Sequence, residues 1–182
     1  MRLAPQVGFP FTAVAGMERA RQALALLAVD PGLKGVLIAG GPGLAKTLLA
    51  RSFAGLHAGA PFVESPAGIT EDRLIGGLDW ERALAHGRRE LAPGLLAQAH
   101  GGVLFVDDIN RLPREQGRHI AAALDEGCLR VERDGISAVL PAGFALVGTY
   151  DPAAGNVSVA LLDSVGIHVT EQDGGGAATR VA

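Results

Sequence analysis

The stretch Gly40-Gly41-Pro42-Gly43-Leu44-Ala45-Lys46-Thr47 directly follows the apolar run Gly35-Val36-Leu37-Ile38-Ala39. The run reads as a buried strand, and residues 47–54 read as the opening of a helix. A strand, a Gly-rich turn and a helix N-terminus in that order aim backbone N–H groups at an anion. In such a phosphate-binding loop the Lys46 ammonium reaches the β- and γ-phosphates, and the Thr47 hydroxyl ligates Mg²⁺. The usual pattern is G-x-x-x-x-G-K-[ST], and Ala45 stands where its second glycine belongs. The added methyl group leaves the loop intact if that position keeps a negative φ. The competing interpretation is a Gly/Pro-rich surface turn with a chance Lys-Thr. A second nucleotide-site element downstream argues against it.

That element is Gly102-Val103-Leu104-Phe105-Val106-Asp107-Asp108. Four apolar residues running into paired acids describe a central parallel strand with carboxylates at its C-terminal edge, where open α/β sheets bind ligands. Asp107 is placed to hold Mg²⁺ through water, and Asp108 to orient or deprotonate an attacking water. Many ATPases of this type carry Glu at the second position, and Asp108 is one methylene shorter.

Bulk composition narrows the class. A chain of 182 residues accommodates one domain, or one with an appendage. It is 48% hydrophobic but only 4% aromatic, so its core is built from Ala, Leu, Val and Ile. A net charge of −3 without a dense Lys/Arg block argues against sequence-independent nucleic-acid binding. The single cysteine, Cys128, excludes an internal disulfide and an all-Cys metal cage. His57, His86, His100, His119 and His168 form no i, i+4 pair suited to zinc. No apolar segment approaches the ~20 residues of a membrane span, and the first residues do not read as a secretory signal. The expectation is a soluble, cytoplasmic α/β protein.

Further elements follow along the chain. A helical pattern runs from 17 to about 29, with Leu24, Leu26, Leu27 and Val29 mostly on one face. The helix after the phosphate loop extends to about 56, and Ala60-Pro61-Phe62-Val63-Glu64 is a short strand. Residues 70–75 open a helix with Thr70 as N-cap and Glu71 and Asp72 in its first turn. The Gly-punctuated stretch 76–101 looks like an insertion with turns or a hairpin and a short helix at 80–86, where Trp80 anchors it to the core. A helix covers 114–124. Residues 129–133 and 136–140 alternate around Asp134-Gly135, a hairpin signal. Residues 144–149 form another buried strand, and 161–169 a helix and a last strand. The tail, 171–182, is read as flexible and Gly-rich.

A phosphate loop, an acidic strand and a third strand ending in Thr149-Tyr150-Asp151-Pro152 is similar to the order of a AAA+ ATPase module. Several segments resemble the ATPase subunits of magnesium chelatase more specifically. These are Phe9-Pro10-Phe11-Thr12-Ala13-Val14, Gly68-Ile69-Thr70-Glu71-Asp72-Arg73-Leu74, Pro93-Gly94-Leu95-Leu96-Ala97, Val131-Glu132-Arg133-Asp134-Gly135-Ile136-Ser137 and Leu161-Leu162-Asp163. The resemblance implies a P-loop NTPase fold, the AAA+ large subdomain, with a central parallel sheet flanked by helices and hairpin insertions near 76–99 and 129–140. It implies ATP and Mg²⁺ as cofactors, Gly40, Gly41, Pro42, Gly43, Leu44, Ala45, Lys46, Thr47 and Asp151 as nucleotide-site residues, and Lys46 and Asp108 as catalytic. It also implies partners: other AAA+ subunits in an I/D-type ring, homo- or hetero-oligomeric, and a large porphyrin-binding subunit that receives Mg²⁺ for protoporphyrin IX in (bacterio)chlorophyll synthesis. The AAA+ module takes in residues 1–170.

Three departures resemble the D rather than the ATP-hydrolysing I subunit. Ser164 follows Leu161-Leu162-Asp163 where an arginine reaching a neighbour's γ-phosphate is expected, a group worth ~10³–10⁵ in rate. Asp151 occupies a polar sensor position usually held by Asn, where a carboxylate repels phosphate unless protonated or turned away. Asp108 is the third. The expectation is Mg·ATP binding with weak intrinsic turnover. A AAA+ module normally ends in a helical lid, and no lid is legible before Ala182. Two other readings stay open: a MoxR-type AAA+ chaperone ATPase, and a ring scaffold that binds nucleotide without turning it over.

Overall fold

Every residue of β1 (Gly35–Ala39) is buried, as a strand covered on both faces requires. The computed structural model describes residues 9–56, 59–66, 68–87, 90–133 and 135–171. Within them β1 joins β2 (Phe62–Ser65), β5 (Val103–Val106), β8 (Ala145–Tyr150) and β9 (Ile167–Thr170) in a sheet of order β2-β5-β8-β1-β9. All of its pairings are parallel. The acidic strand β5 and the phosphate-loop strand β1 therefore flank β8, and their C-terminal ends open on one edge.

The period-2 alternation of strand side chains sorts the core into two layers. Val36, Ile38, Phe105 and Val147 pack under α1 (Glu18–Val29) and α2 (Lys46–Phe53) with Leu24, Leu27, Leu49 and Phe53. Leu37, Leu104, Val106 and Leu146 face the other way. They pack with Leu74 of α3 (Glu71–Ile75), Leu96 of α5 (Leu95–Gln98), Ile120 of α6 (Arg114–Glu126) and Leu161 of α7 (Val159–Ser164). The core is aliphatic as composition predicts, with Phe62 stacked on Phe105 at 6.1 Å between ring centroids.

Both expected insertions form antiparallel pairs. β3 (Gly76–Leu78) pairs with β4 (Leu91–Pro93) around α4 (Trp80–His86), and β6 (Cys128–Arg133) pairs with β7 (Ile136–Pro141). Gly94 is required at the base of the first pair. A Cβ there would lie 2.3 Å from the Gly76 nitrogen and 2.4 Å from the Leu74 oxygen. Arg133 ties the second hairpin to α3, with its guanidinium 2.6 Å from Asp72.

Several expectations need correction. The buried face of α1 is Ala20, Ala23, Leu24 and Leu27, while Leu26 is 57% and Val29 84% exposed. Each of those two lies two positions after a buried leucine, roughly 200° around a 3.6-residue turn. Thr70 sits at the N-cap of α3, but its side chain makes no capping bond. Of the tail 171–182 only Glu171 is described, and it belongs with the sheet: its N–H donates to Ala39 O at 2.8 Å. The rest of the tail, Arg88-Arg89, His57 and the side chain of Trp80 lie outside the described residues. Among the described residues no helix is long and apolar enough to cross a membrane.

Candidate functional site

The C-terminal edge of the sheet at β1 and β5 brings together the phosphate-loop residues 40–47 and Asp107. After β1 the chain enters the loop with Gly40 N–H donating to Tyr150 O at 3.0 Å, which seats the loop against β8. Gly43 turns with φ 82°, a left-handed conformation that glycine adopts freely. Ala45 then takes φ 56° and ψ 24° at the N-cap of α2. The negative φ under which alanine would be harmless is not what this loop uses. A left-handed conformation is disfavoured by about 1–2 kcal/mol for a residue with a Cβ. The loop therefore keeps the backbone path of the missing glycine and carries the strain.

Lys46 and Thr47 open α2, so both side chains stand at the start of a helix whose first N–H groups lack partners in the helix itself. The Lys46 ammonium donates to Gly40 O at 2.7 Å and Gly41 O at 2.8 Å, folding back across its own loop. Nothing lies within 4 Å of where a side chain on Gly41 or Gly43 would begin, so the loop's outer surface is open. Thr47 Oγ1 donates to Asp107 Oδ2 at 2.9 Å. The other carboxylate oxygen, Oδ1, accepts from Thr149 Oγ1 at the end of β8. A lysine beside an open loop, with a hydroxyl and a carboxylate as hard oxygen donors, suits a phosphate and its divalent cation. Among the described residues no cluster of three or more His, Cys, Asp and Glu offers an all-protein metal cage.

The other predicted residues do not converge on this point. Asp108 has φ 51° and begins the tight turn Ile109–Arg111, with its carboxylate 3.7 Å from the Arg111 guanidinium. Asp151 is turned onto its own backbone, its carboxylate accepting from Ala153 N–H at 2.9 Å. Asn110 holds the same turn by donating to Asp151 O and Gly155 O, each at 3.2 Å. Ser164 is 8% exposed, and its hydroxyl donates to Asp125 and to Ala160 O, each at 3.0 Å. Asp125 also accepts from Lys34 at 2.7 Å. That hydrogen bond, helped by the one from Ser164 and opposed by partial burial, holds the Asp125 carboxyl below its ordinary range. Position 164 thus faces α6 within the same chain.

Sequence reasoning missed Thr149 as a site residue, although it named the strand end that carries it. Register supplies the missing information. Gly148 pairs with Val106 and Thr149 with Ile38, which puts the threonine beside the first acid after β5. Glu171 was missed as well. Its carboxylate accepts from Ala20 N–H at 2.7 Å, capping α1, a helix without a capping side chain of its own.

Known proteins match this arrangement. The chain is 52% identical over 160 residues to the magnesium-chelatase 67 kDa subunit of Chlorobaculum parvum, covering 87% of this chain and 26% of that protein. It is 35% identical over 205 residues to the magnesium-chelatase 38 kDa subunit of Cereibacter sphaeroides, covering 95% of this chain and 61% of that protein. A solved structure, described as a model of the complex between subunits BchI and BchD of magnesium chelatase from a cryo-EM reconstruction, aligns with a TM-score of 0.76 at 34% identity. That alignment covers 94% of this chain and 64% of the other. The chain thus spans about a quarter of its 67 kDa relative and under two thirds of the others. The family model for the AAA domain of the dynein-related subfamily matches residues 35–164. That stretch runs from the first residue of β1 through both site strands to the end of α7, and with it the chain belongs to the AAA domain family of nucleotide-binding modules.

Proposed function

We propose that this module binds Mg·ATP as the AAA+ portion of a D-type magnesium chelatase subunit with weak intrinsic hydrolysis. The observation that carries the nucleotide half is the convergence of Lys46, Thr47 and Asp107 on an open Gly-rich loop. Lys46 and the loop N–H groups of Gly41 and residues 43–47 hold the β- and γ-phosphates. Thr47 ligates Mg²⁺, and Asp107 holds it through water. The bound cation neutralises phosphate charge. Lys46 leaves its two carbonyl partners for the phosphates, a charge-assisted exchange that favours the anion. Asp108 would orient the attacking water, but its short side chain and its turn toward Arg111 keep that contribution weak.

The D-type half is supported by the 52% identity to a 67 kDa subunit against 35% to a 38 kDa subunit. Ser164 and Asp151 support it too. The first is packed against α6 where an arginine would have to reach a neighbour, and the second is spent on its own turn. In this reading the module sits in a cytoplasmic ring with other AAA+ chelatase subunits and serves a large porphyrin-binding subunit in (bacterio)chlorophyll synthesis. A second reading, a ring scaffold that binds nucleotide without turnover, is favoured by those same two residues.

The test is calorimetric titration of Mg·ATP into the chain and into Lys46→Ala, followed by steady-state turnover alone and with an I-type subunit. Binding that disappears in Lys46→Ala, with turnover only in company, supports the D-type assignment. Turnover in neither setting favours the scaffold. Robust turnover alone overturns both. Rescue of Mg²⁺ insertion into porphyrin by the full-length subunit, with the large subunit present, separates a chelatase from a MoxR-type chaperone.

A further inference from the structure

Asp107 has no cation partner among the described ion pairs, yet both of its carboxylate oxygens are engaged by hydroxyls from different elements. Thr47 approaches from the first turn of α2 and Thr149 from the end of β8. Thr47 belongs to the phosphate-loop motif. Thr149 comes from the end of β8, where burial alone asks only for a β-branched side chain and not for a hydroxyl. It is fully buried, at 0% exposure, between the strand that feeds the loop and the strand that ends in the acid. A buried hydroxyl needs a partner. Here its partner is the very carboxylate assigned to the cation.

The backbone around Thr149 leaves the hydroxyl little freedom. A Cβ on Gly148 would stand 2.6 Å from Leu37 Cδ2 and 3.0 Å from Ile109 Cδ1, so β8 packs directly on its neighbours here. Tyr150 O, one residue on, accepts the Gly40 N–H and locks the strand end to the loop entrance. Thr149 is thereby fixed by packing on one side and by the phosphate loop on the other. A rigid donor on Oδ1 sets the plane of the carboxylate and leaves Oδ2 facing Thr47. Partners of this outer kind orient metal-binding groups, and removing one weakens metal affinity ~10–100-fold.

We propose that Thr149 is a positioning residue for the cation accompanying the nucleotide, acting through Asp107. This rests on the Mg·ATP reading above, and the experiment separates the two. A fluorescent ATP analogue is titrated into the full-length chain at a series of Mg²⁺ concentrations and in excess EDTA. Wild type, Thr149→Val, Thr149→Ser and Thr149→Ala are compared, with unfolding midpoints measured alongside. Thr149→Val keeps the shape and deletes the hydroxyl, Thr149→Ser keeps the hydroxyl, and Thr149→Ala replaces the valine variant should that fail to fold.

The expected result is a roughly tenfold rise in the Mg²⁺ concentration needed for half-maximal binding in Thr149→Val. Affinity in EDTA stays unchanged, and Thr149→Ser lies within about twofold of wild type. A purely structural role for Thr149 lowers affinity equally with and without Mg²⁺, and that result overturns the proposal. An unaltered Mg²⁺ response in Thr149→Val, or in Thr149→Ala, overturns it as well while leaving the nucleotide site standing. A wild-type chain that binds no analogue under any condition removes both readings together.

Discussion

Thr47 Oγ1, on the first turn of α2, donates a 2.9 Å hydrogen bond to Asp107 Oδ2, just past the end of β5 and sixty residues further along the chain. The two residues come from motifs separated by α3, α4, α5 and a hairpin, and β8 lies between their strands. Their contact makes the phosphate loop and the acidic strand one site.

Ala45→Gly should stabilise the chain and tighten nucleotide binding. The left-handed backbone at 45 disfavours a Cβ by about 1–2 kcal/mol, from which the extra unfolded-state freedom of glycine subtracts part. A net gain of roughly 0.5–1 kcal/mol corresponds to a rise of about 1–4 °C in unfolding midpoint for a domain of this size. Thermal unfolding in the absence of nucleotide measures it. An unchanged or lower midpoint would mean that the strain at Ala45 is already relieved.

Glu171→Ala should destabilise by about 1 kcal/mol, the usual loss of an N-cap, while Glu171→Gln retains the hydrogen bond and loses only the charge–dipole part. The carboxylate serves α1 from 151 residues away. Denaturant unfolding of the two variants should rank wild type above Gln and Gln above Ala. Equal stability for all three would remove the capping role.

Acid sensitivity should trace in part to Asp125. Its pKa lies below the ordinary value because Lys34 donates to it, so the folded state binds fewer protons there than the unfolded chain. The stabilisation is present above about pH 4, the ordinary Asp value, and is lost as pH falls through the lower folded value. Asp125→Asn should lower the unfolding midpoint near neutrality, and its profile should meet that of wild type in acid. The pair is half-exposed, with side chains 41% and 52% accessible, so the effect should also shrink with salt. Parallel profiles down to pH 2 would count against it.

Ser164→Arg should not confer ATP turnover. The side chain at 164 points into the contact between α6 and α7, where a guanidinium overpacks at a penalty of about 1–3 kcal/mol and finds Asp125 before it finds a neighbouring subunit. Steady-state turnover in the presence and absence of an I-type subunit checks this. A strong gain in rate would show that residue 164 reaches a neighbouring subunit after all.

Legibility in the sequence followed physical range. The run 35–39, the Gly-rich loop and the Val103–Asp108 strand end were readable because each signal is local: continuous apolar burial, glycine at a turn, carboxylates after a strand. The antiparallel pair β6–β7 was readable for the same reason, although Asp134 itself lies outside the described residues. In α1 the four apolar side chains Leu24, Leu26, Leu27 and Val29 look alike locally, and only packing against the sheet selects Leu24 and Leu27 for burial. Asp151 carried a sensor role by position alone, and its carboxylate instead satisfies the turn at Ala153. A short acid next to an uncapped turn has a nearer partner than a phosphate across the site.

Residue types and spacing alone determined that this chain places a lysine and a threonine at the start of a helix after a buried strand, and an acid after another. These are consequences of local backbone preference and of burial along single segments. The tertiary structure decided what those groups face. Strand order β2-β5-β8-β1-β9 inserts β8 between the two motifs, so Thr149 engages Asp107. The same packing turns Ser164 toward Asp125, brings Glu171 to the start of α1 and holds Ala45 in a conformation that alanine disfavours. Each of these depends on parallel register and on contacts between segments far apart in the chain, which no local pattern encodes.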